Sequence, residues 1–369
     1  MKYIEHYFPY IIIFLADAAV LAAFNYLPLY AKSFNINDVE IGIIRTIYAA
    51  ILLISNYIFG RASDMLGRRR FLISGLFLSA IVFLGYHLVN EFFSFILVSI
   101  STAFTVGIFS AAMIAYARDV KKKIGRFTSI GALGITFGLL ISAYISQNYG
   151  IESIFTVNFF LLLAAGIISL RLKKSGWEPI NVPRFPRKVI KENLAIYIAF
   201  LLRHTGAMII WTYWPLYLVS IGANLFYVGF VNSFNTLTQF FVAFLISDRL
   251  KSKHMIRLGL VLSFLTFFSF TLARNFLEII PTQIMLGFSW IFLYVGSLRD
   301  IMEKTKERGT ATGILNSTMN LASIIGPFLA TFIIQVGNYV TTMYVATVFG
   351  IASIIIFHVL TLLKGKSKS

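Results

Sequence analysis

The sequence contains no cysteine. That excludes a disulfide framework, a thiolate-ligated metal and an iron–sulfur cluster. Charge is scarce too. Only 13% of the 369 residues are Asp, Glu, Lys or Arg, against roughly 25% in a soluble chain, which needs them to wet its surface. A soluble two-domain enzyme and a disordered chain are excluded by that shortage. His-Glu-x-x-His, Gly-x-Ser-x-Gly, an Asp-rich motif and a phosphate-cradling loop are also missing. The chain is therefore not read as an enzyme. His87 and His358 lie near the ends of apolar runs, too scattered for a metal site. No metal and no cofactor are expected.

What the chain has in quantity is apolar surface. It is 58% hydrophobic, its mean hydropathy is +0.81, and it holds 37 Phe. The solvent for such a surface is lipid. A crossing needs about 20 apolar residues for about 30 Å of hydrocarbon. Twelve runs qualify: 8–31, 38–59, 70–89, 92–117, 126–147 and 152–171, then 193–220, 225–247, 255–273, 276–298, 310–336 and 338–362. Asp17 interrupts the first run and no small-residue cleavage site follows, so a cleaved signal peptide is not expected.

The net charge of +17 would suggest nucleic acid in a soluble protein. Here the basic residues form short clusters between apolar runs, and no nucleic acid is expected. Twelve crossings put both termini on one side, with 28 of the 32 Lys and Arg. Lys32 and Arg274 lie on the other side, and Arg45 and Arg203 fall inside spans. Such asymmetry marks the basic side as cytoplasmic.

The two halves repeat. Tyr26-x-Pro28-Leu29-Tyr30 returns as Tyr213-x-Pro215-Leu216-Tyr217, shifted by 187, and the same shift carries Gly42 onto Gly229 and Gly150 onto Gly337. Ser63-Asp64 matches Ser247-Asp248, and Arg118-Asp119 matches Arg299-Asp300, with loops absorbing small changes of shift. Two six-span units in the same orientation form a parallel repeat about an axis along the membrane normal. The expected organisation is a six-helix bundle over 1–171, a charged, Pro-containing cytoplasmic linker over 172–192, and a second bundle over 193–369.

Between spans 2 and 3 the sequence reads Gly60-Arg-Ala-Ser-Asp64-Met-Leu-Gly67-Arg68-Arg69-Arg70. Gly67 permits a tight turn, and Gly60 permits close helix approach. Asp64 at the membrane boundary can pair with an arginine or cap a helix. This loop resembles the signature loop of the major facilitator superfamily. The second copy, Ser247-Asp248-Arg249-Leu250-Lys251, is decayed. The resemblance implies an all-α integral membrane fold of twelve transmembrane helices in two pseudo-symmetric six-helix bundles. It also implies a multi-pass transporter of the plasma membrane. A monomer is expected, the charge asymmetry makes both termini cytoplasmic, and the sequence has no ATP loop. A small solute would bind between halves that rock to give alternating access. Asp64, with Arg68, Arg69, Arg118, Asp119, Arg299 and Asp300, would form the cytoplasmic gate. The intramembrane Arg and Gln-Gly of drug exporters, the Pro after the span 5 glycines, and the Pro-Glu-Ser of sugar porters are absent, so no subfamily follows.

Charges inside a membrane are costly and are read first as functional. Asp17 is the one acid deep in a span. At 1.5 Å per residue it lies about 12 Å above the cytoplasmic end of span 1, and Arg203 lies about 15 Å above that of span 7. Since spans 1 and 7 are repeat equivalents, Asp17 is expected to meet Arg203 or His204, with Arg45 about 21 Å up span 2. Asn25, Tyr26, Tyr213, Asn232, Asn235, Gln239, Asn316 and Asn320 complete the candidate substrate- and proton-binding set. Amides in lipid face a cavity or another helix. The reading is a secondary active transporter of a small organic solute, proton-coupled through Asp17. A uniporter or solute exchanger with a structural Asp17, and a non-transporting receptor or scaffold on the same fold, are the alternatives. The topology is testable on intact cells: a reporter fused after Ser369 should read as cytoplasmic, and Pro183 should be closed to external protease.

Overall fold

A computed structural model describes residues 7–120, 124–173, 187–245, 250–304 and 308–366. In lipid a chain must satisfy its own backbone polar groups, and helices do so within one segment. The described residues form α1 (Phe8–Phe24), α2 (Leu27–Lys32), α3 (Asp38–Leu66), α4 (Arg68–Leu84), α5 (Phe92–Asp119), α6 (Ile124–Tyr149) and α7 (Glu152–Ser169) in the first half. The second half holds α8 (Arg187–Ser220), α9 (Leu225–Leu245), α10 (Ser252–Phe270), α11 (Ile279–Lys304), α12 (Arg308–Val336) and α13 (Tyr339–Lys366). Eleven described stretches are long and apolar enough to cross a membrane. The first helix, at 17 residues, falls short alone and completes the twelfth crossing together with α2.

The expected run 8–31 is thus not one helix. It breaks at Asn25 and Tyr26, because Pro28 has no N–H to bond the Phe24 carbonyl and its ring crowds that oxygen. The equivalent Pro215 stays inside an unbroken α8. The expected loop at 60–69 is also shorter than the sequence suggests. Helix runs up to Gly67 from both sides, and Gly67 alone makes the turn at φ 95°, a conformation that a Cβ would strain. Gly60 does not fill its expected role. A Cβ there would sit 3.5 Å from Ala111 Cβ of α5, an ordinary contact. The eighth helix begins at Arg187, inside the stretch expected to be linker.

Repeat signals recur in the local geometry. Asn35 (φ 56°) and Gly222 (φ 93°), 187 apart, make the left-handed turns that end the first and seventh crossings. Two residues on, Asn37 Oδ1 accepts from Glu40 N at 2.9 Å and Asn224 Oδ1 from Tyr227 N at 3.0 Å. These are N-caps, and they start α3 and α9 in the same register.

Packing follows the same correspondence. In the first half α1 packs on α6 and α7, α3 on α5, and α4 on α5 and α7. In the second, α8 packs on α12 and α13, α9 on α11, and α10 on α11 and α13. Across the halves α3 packs on α12 and α6 on α9, two contacts that the repeat exchanges. Gly131, Gly134 and Gly138 line the side of α6 that meets α1, and a Cβ at Gly134 or Gly138 would run into the Phe14 or Ala18 backbone. Small residues allow this approach, which gives membrane helices their dispersion contacts.

Gly134→Ala should therefore force the two helices apart and destabilise the fold by about 1–3 kcal/mol. Gly313→Ala, where no described residue lies within 4 Å, should not. Thermal unfolding of the purified protein in detergent reads both.

Candidate functional site

One face of the molecule carries the basic helix ends and the other is weakly charged. On the weakly charged face the halves are tied by a reciprocal pair of bonds. Tyr26 Oη donates to the Leu225 carbonyl at 3.0 Å, and Tyr213 Oη donates to the Asp38 carbonyl at 2.9 Å. Each pair is the repeat image of the other: the tyrosines are 187 apart, and so are the first residues of α3 and α9. Each tyrosine rests where the other half has a glycine. A Cβ on Gly42 would sit 2.7 Å from Tyr213 Oη, and one on Gly229 would sit 2.5 Å from Tyr26 Oη. Asp38 adds to the seam: its Oδ2 accepts from Tyr339 Oη at 3.1 Å, and Lys32 pairs with its Oδ1 at 2.7 Å. Below these, Asn232 Nδ2 donates to Asn25 Oδ1 at 3.1 Å, and the Thr136 and Thr236 hydroxyls meet at 2.8 Å.

Beneath the seam lies a cavity of about 220 Å³ between the halves. Phe24 of α1 and Arg45, Tyr48 and Leu52 of α3 form one wall. Met208, Trp211 and Thr212 of α8 and Asn320, Ser323 and Pro327 of α12 form the other. The buried Arg45 donates through Nη2 to the Phe24 carbonyl at 2.8 Å. That carbonyl is the one Pro28 leaves without a helical donor, so the break in the first crossing creates the acceptor that holds the arginine. The Phe24 ring lies 3.5 Å from the guanidinium carbon, a favourable cation–π contact. Arg45 Nε and Nη1 are buried and have no hydrogen-bond partner among the described residues.

The expected meeting of Asp17 with Arg203 does not occur. Arg203 is 2% exposed and turned into the second half, where Nε donates to Ser263 Oγ at 2.7 Å and Nη2 to Ser289 Oγ at 3.4 Å. The reason is helical phase. One residue is a rotation of about 100°. His204, seven residues before Trp211, lies on the same side of α8 as Trp211 without lining the cavity, while Arg203 is carried round onto Ser263 and Ser289. His204, the repeat image of Asp17, packs between the rings of Phe200 and Trp290, and its Nδ1 has no partner among the described residues. Asp17 is half-buried, with its carboxylate against Gly131 of α6. Among the described residues it has no hydrogen bond or ion pair. It shares a face of α1 with Phe24, about 10 Å further toward the basic face.

Other candidates divide between seam and interior. Tyr26, Tyr213, Asn25 and Asn232 belong to the seam, and Asn232 also accepts from Trp214 Nε1 at 2.6 Å. Asn235 accepts from Gln239 Nε2 at 2.9 Å within α9. Asn320 lines the cavity, whereas Asn316, one turn away, is outside its wall. Tyr48, Thr212 and Ser323 were not singled out from sequence, although Tyr48 and Ser323 each stand three residues beyond a candidate, on the same helix face. Asp38, the hub of the seam, carried no sequence signal beyond its place at a helix start.

In the basic loops, Arg69 Nη2 donates to the Leu170 carbonyl at 2.6 Å, capping the C-terminus of α7 within its own half. Arg299 Nη1 donates to the Leu250 carbonyl at 3.2 Å, and Asp300 pairs with Lys304 one turn on. The side chains of Asp64, Arg118 and Asp119 lie outside the described set, as do residues 246–249 with the second loop copy.

Two alike helical halves around a solute-sized cavity, sealed on one face by bonds between the halves, define the architecture of a membrane carrier. The chain belongs to the Major Facilitator Superfamily, whose model matches residues 10–305 and 295–369. It is a multi-pass membrane transporter of that family. It is 26% identical over 362 residues to MJ1560 of Methanocaldococcus jannaschii, an uncharacterized MFS-type transporter, across 88% of this chain and 91% of that protein. Crystal structures of the nucleoside transporter NupG and of a point mutant superimpose with TM-scores of 0.73 and 0.77. Both are 13% identical, cover 97% of this chain, and are themselves covered to 97% and 99%. At that identity the likeness establishes the fold.

The seam makes a direct prediction. A hydroxyl bond contributes about 0.5–1.5 kcal/mol net, so Tyr26→Phe or Tyr213→Phe should each shift the balance toward an open weakly charged face by about 2- to 13-fold. With no native cysteine, Ser323→Cys reports it cleanly. A membrane-impermeant thiol reagent applied from that face should label Ser323→Cys faster in each variant and fastest in the double variant.

Proposed function

We propose that this chain is a secondary transporter of a small organic solute, which binds in the central cavity and crosses as the halves rock between two closures. The observation that carries this reading is the central cavity itself, walled by α1 and α3 from one half and α8 and α12 from the other, under a seam that belongs to neither half alone. A seam of a few hydrogen bonds and close contacts can be remade, because lipid gives the halves no hydrophobic reason to stay together. The described conformation is the one closed at the weakly charged face. The charge asymmetry supports placing the basic face, and both termini, in the cytoplasm of a cell bounded by this plasma membrane. A single chain contains the whole cavity, which supports a monomer as the working unit.

Asp17 is the proposed proton carrier, though not through the arginine expected from sequence. Its support is geometric: a carboxylate in the membrane, free of ion pairs among the described residues, on the face of α1 that leads to Phe24 and the cavity. A proton neutralises such a group and makes its passage through a closed state less costly.

The test runs in two stages. A thermal-shift screen of metabolites on purified protein identifies a ligand, since a bound solute at 100 times its Kd stabilises by about 2.7 kcal/mol. That solute is then followed in proteoliposomes. Wild type should accumulate it when a pH gradient is imposed. Asp17→Asn should lose that accumulation and keep solute-for-solute exchange. Accumulation by Asp17→Asn equal to wild type would remove Asp17 from coupling and leave the uniporter or exchanger.

A further inference from the structure

We propose that the transported solute is a small organic monoanion, a carboxylate on a compact and largely apolar body, whose charged end docks on Arg45. The inference rests on the transport reading and deepens it by naming the substrate class. Arg45 is the one charged side chain among those lining the cavity, and no acid stands there to balance it. Guanidinium has five N–H donors and stays protonated. Nη2 is committed to the Phe24 carbonyl, while Nε and Nη1 have no acceptor among the described residues, in a side chain that is 5% exposed. A buried charge without a counter-charge is among the costliest arrangements in a protein. The missing partner is an oxygen anion.

The surroundings narrow what can supply it. On its other side Arg45 borders a hollow of about 10 Å³ next to Ser99. That hollow has room for roughly one water. Water could satisfy a donor there but would leave the charge uncompensated. Of these two spaces, only the larger cavity has room for an organic anion. The guanidinium is held ready by two contacts, the Phe24 carbonyl and the Phe24 ring, so little ordering is lost when an anion arrives.

The second half is neutral at the equivalent place. Asn232 replaces Arg45 in the repeat and is already engaged by Trp214 and Asn25. The other intramembrane arginine, Arg203, has its donors directed to two serines and does not line the cavity, so it offers none to a solute there. One available positive centre selects one negative group. Across from it the Thr212 and Ser323 hydroxyls donate to their own helices and so present acceptors. Phe24, Tyr48 and Trp211 supply flat apolar surface for the body of the solute.

Matched ligands test charge with shape held nearly constant: benzoate and butyrate, each with its amide and amidine. Binding is read on purified wild-type protein as thermal shift and as a change in tryptophan fluorescence, since Trp211 lines the cavity. Both carboxylates should bind at least tenfold more tightly than their amides and amidines. Arg45→Gln should remove that preference, and Arg45→Lys should keep it at reduced affinity. Equal or tighter binding of the amides or amidines to wild type would overturn the proposal. So would the absence of carboxylate binding, or a preference that survives in Arg45→Gln. The wild-type series alone is decisive if the glutamine variant does not fold. Carboxylate binding without flux in proteoliposomes would leave this inference standing and remove the transport reading. Flux of the amides or amidines instead would do the reverse.

Discussion

Two tyrosine hydroxyls, each reaching across to a backbone carbonyl of the opposite half, are the interaction on which the arrangement of this molecule depends. In water two bundles would be driven together by burying apolar faces. In lipid that drive is absent, because the acyl chains are as apolar as the side chains. What holds Tyr26 to the Leu225 carbonyl and Tyr213 to the Asp38 carbonyl is therefore directed bonding, together with the close approach that Gly42 and Gly229 allow. Asp38 strengthens one of the two sites by gathering Tyr339 and Lys32 on its carboxylate. A seam built this way is specific and limited in strength, which suits an interface that must open.

Symmetry sets the scaffold, and its violations set the chemistry. The turns at Asn35 and Gly222, the caps at Asn37 and Asn224 and the pairing of helices are common to both halves. At the centre the halves differ. Where the first has Arg45, Asp17 and a first crossing broken by Pro28, the second has Asn232, His204 and an α8 that runs on through Pro215. The break is what frees the Phe24 carbonyl to hold Arg45. A proline that looks like a local defect thus positions the charged group of the cavity.

The sequence by itself determined the number of crossings, the two alike halves and the side that gathers positive charge. It could do so because lipid imposes its rules residue by residue: apolar runs of fixed length, and arginine and lysine kept to one side. Gly67 was legible for a similar local reason, since a one-residue turn at φ 95° admits little else. Asp17 and Arg45 were legible as unusual residues, because any charge inside a span is unusual. Only the tertiary structure decided what they face. Arg203 looked like the partner of Asp17 by depth, yet a single residue's rotation of about 100° turns it onto Ser263 and Ser289. Tyr26 and Tyr213 looked like cavity residues and instead close the seam, and Asp38 gave no signal of its role there. Sequence spacing fixes height along a helix well. Which neighbour a side chain meets depends on helix phase and on how the two halves come together, and those are settled only when all the helices pack.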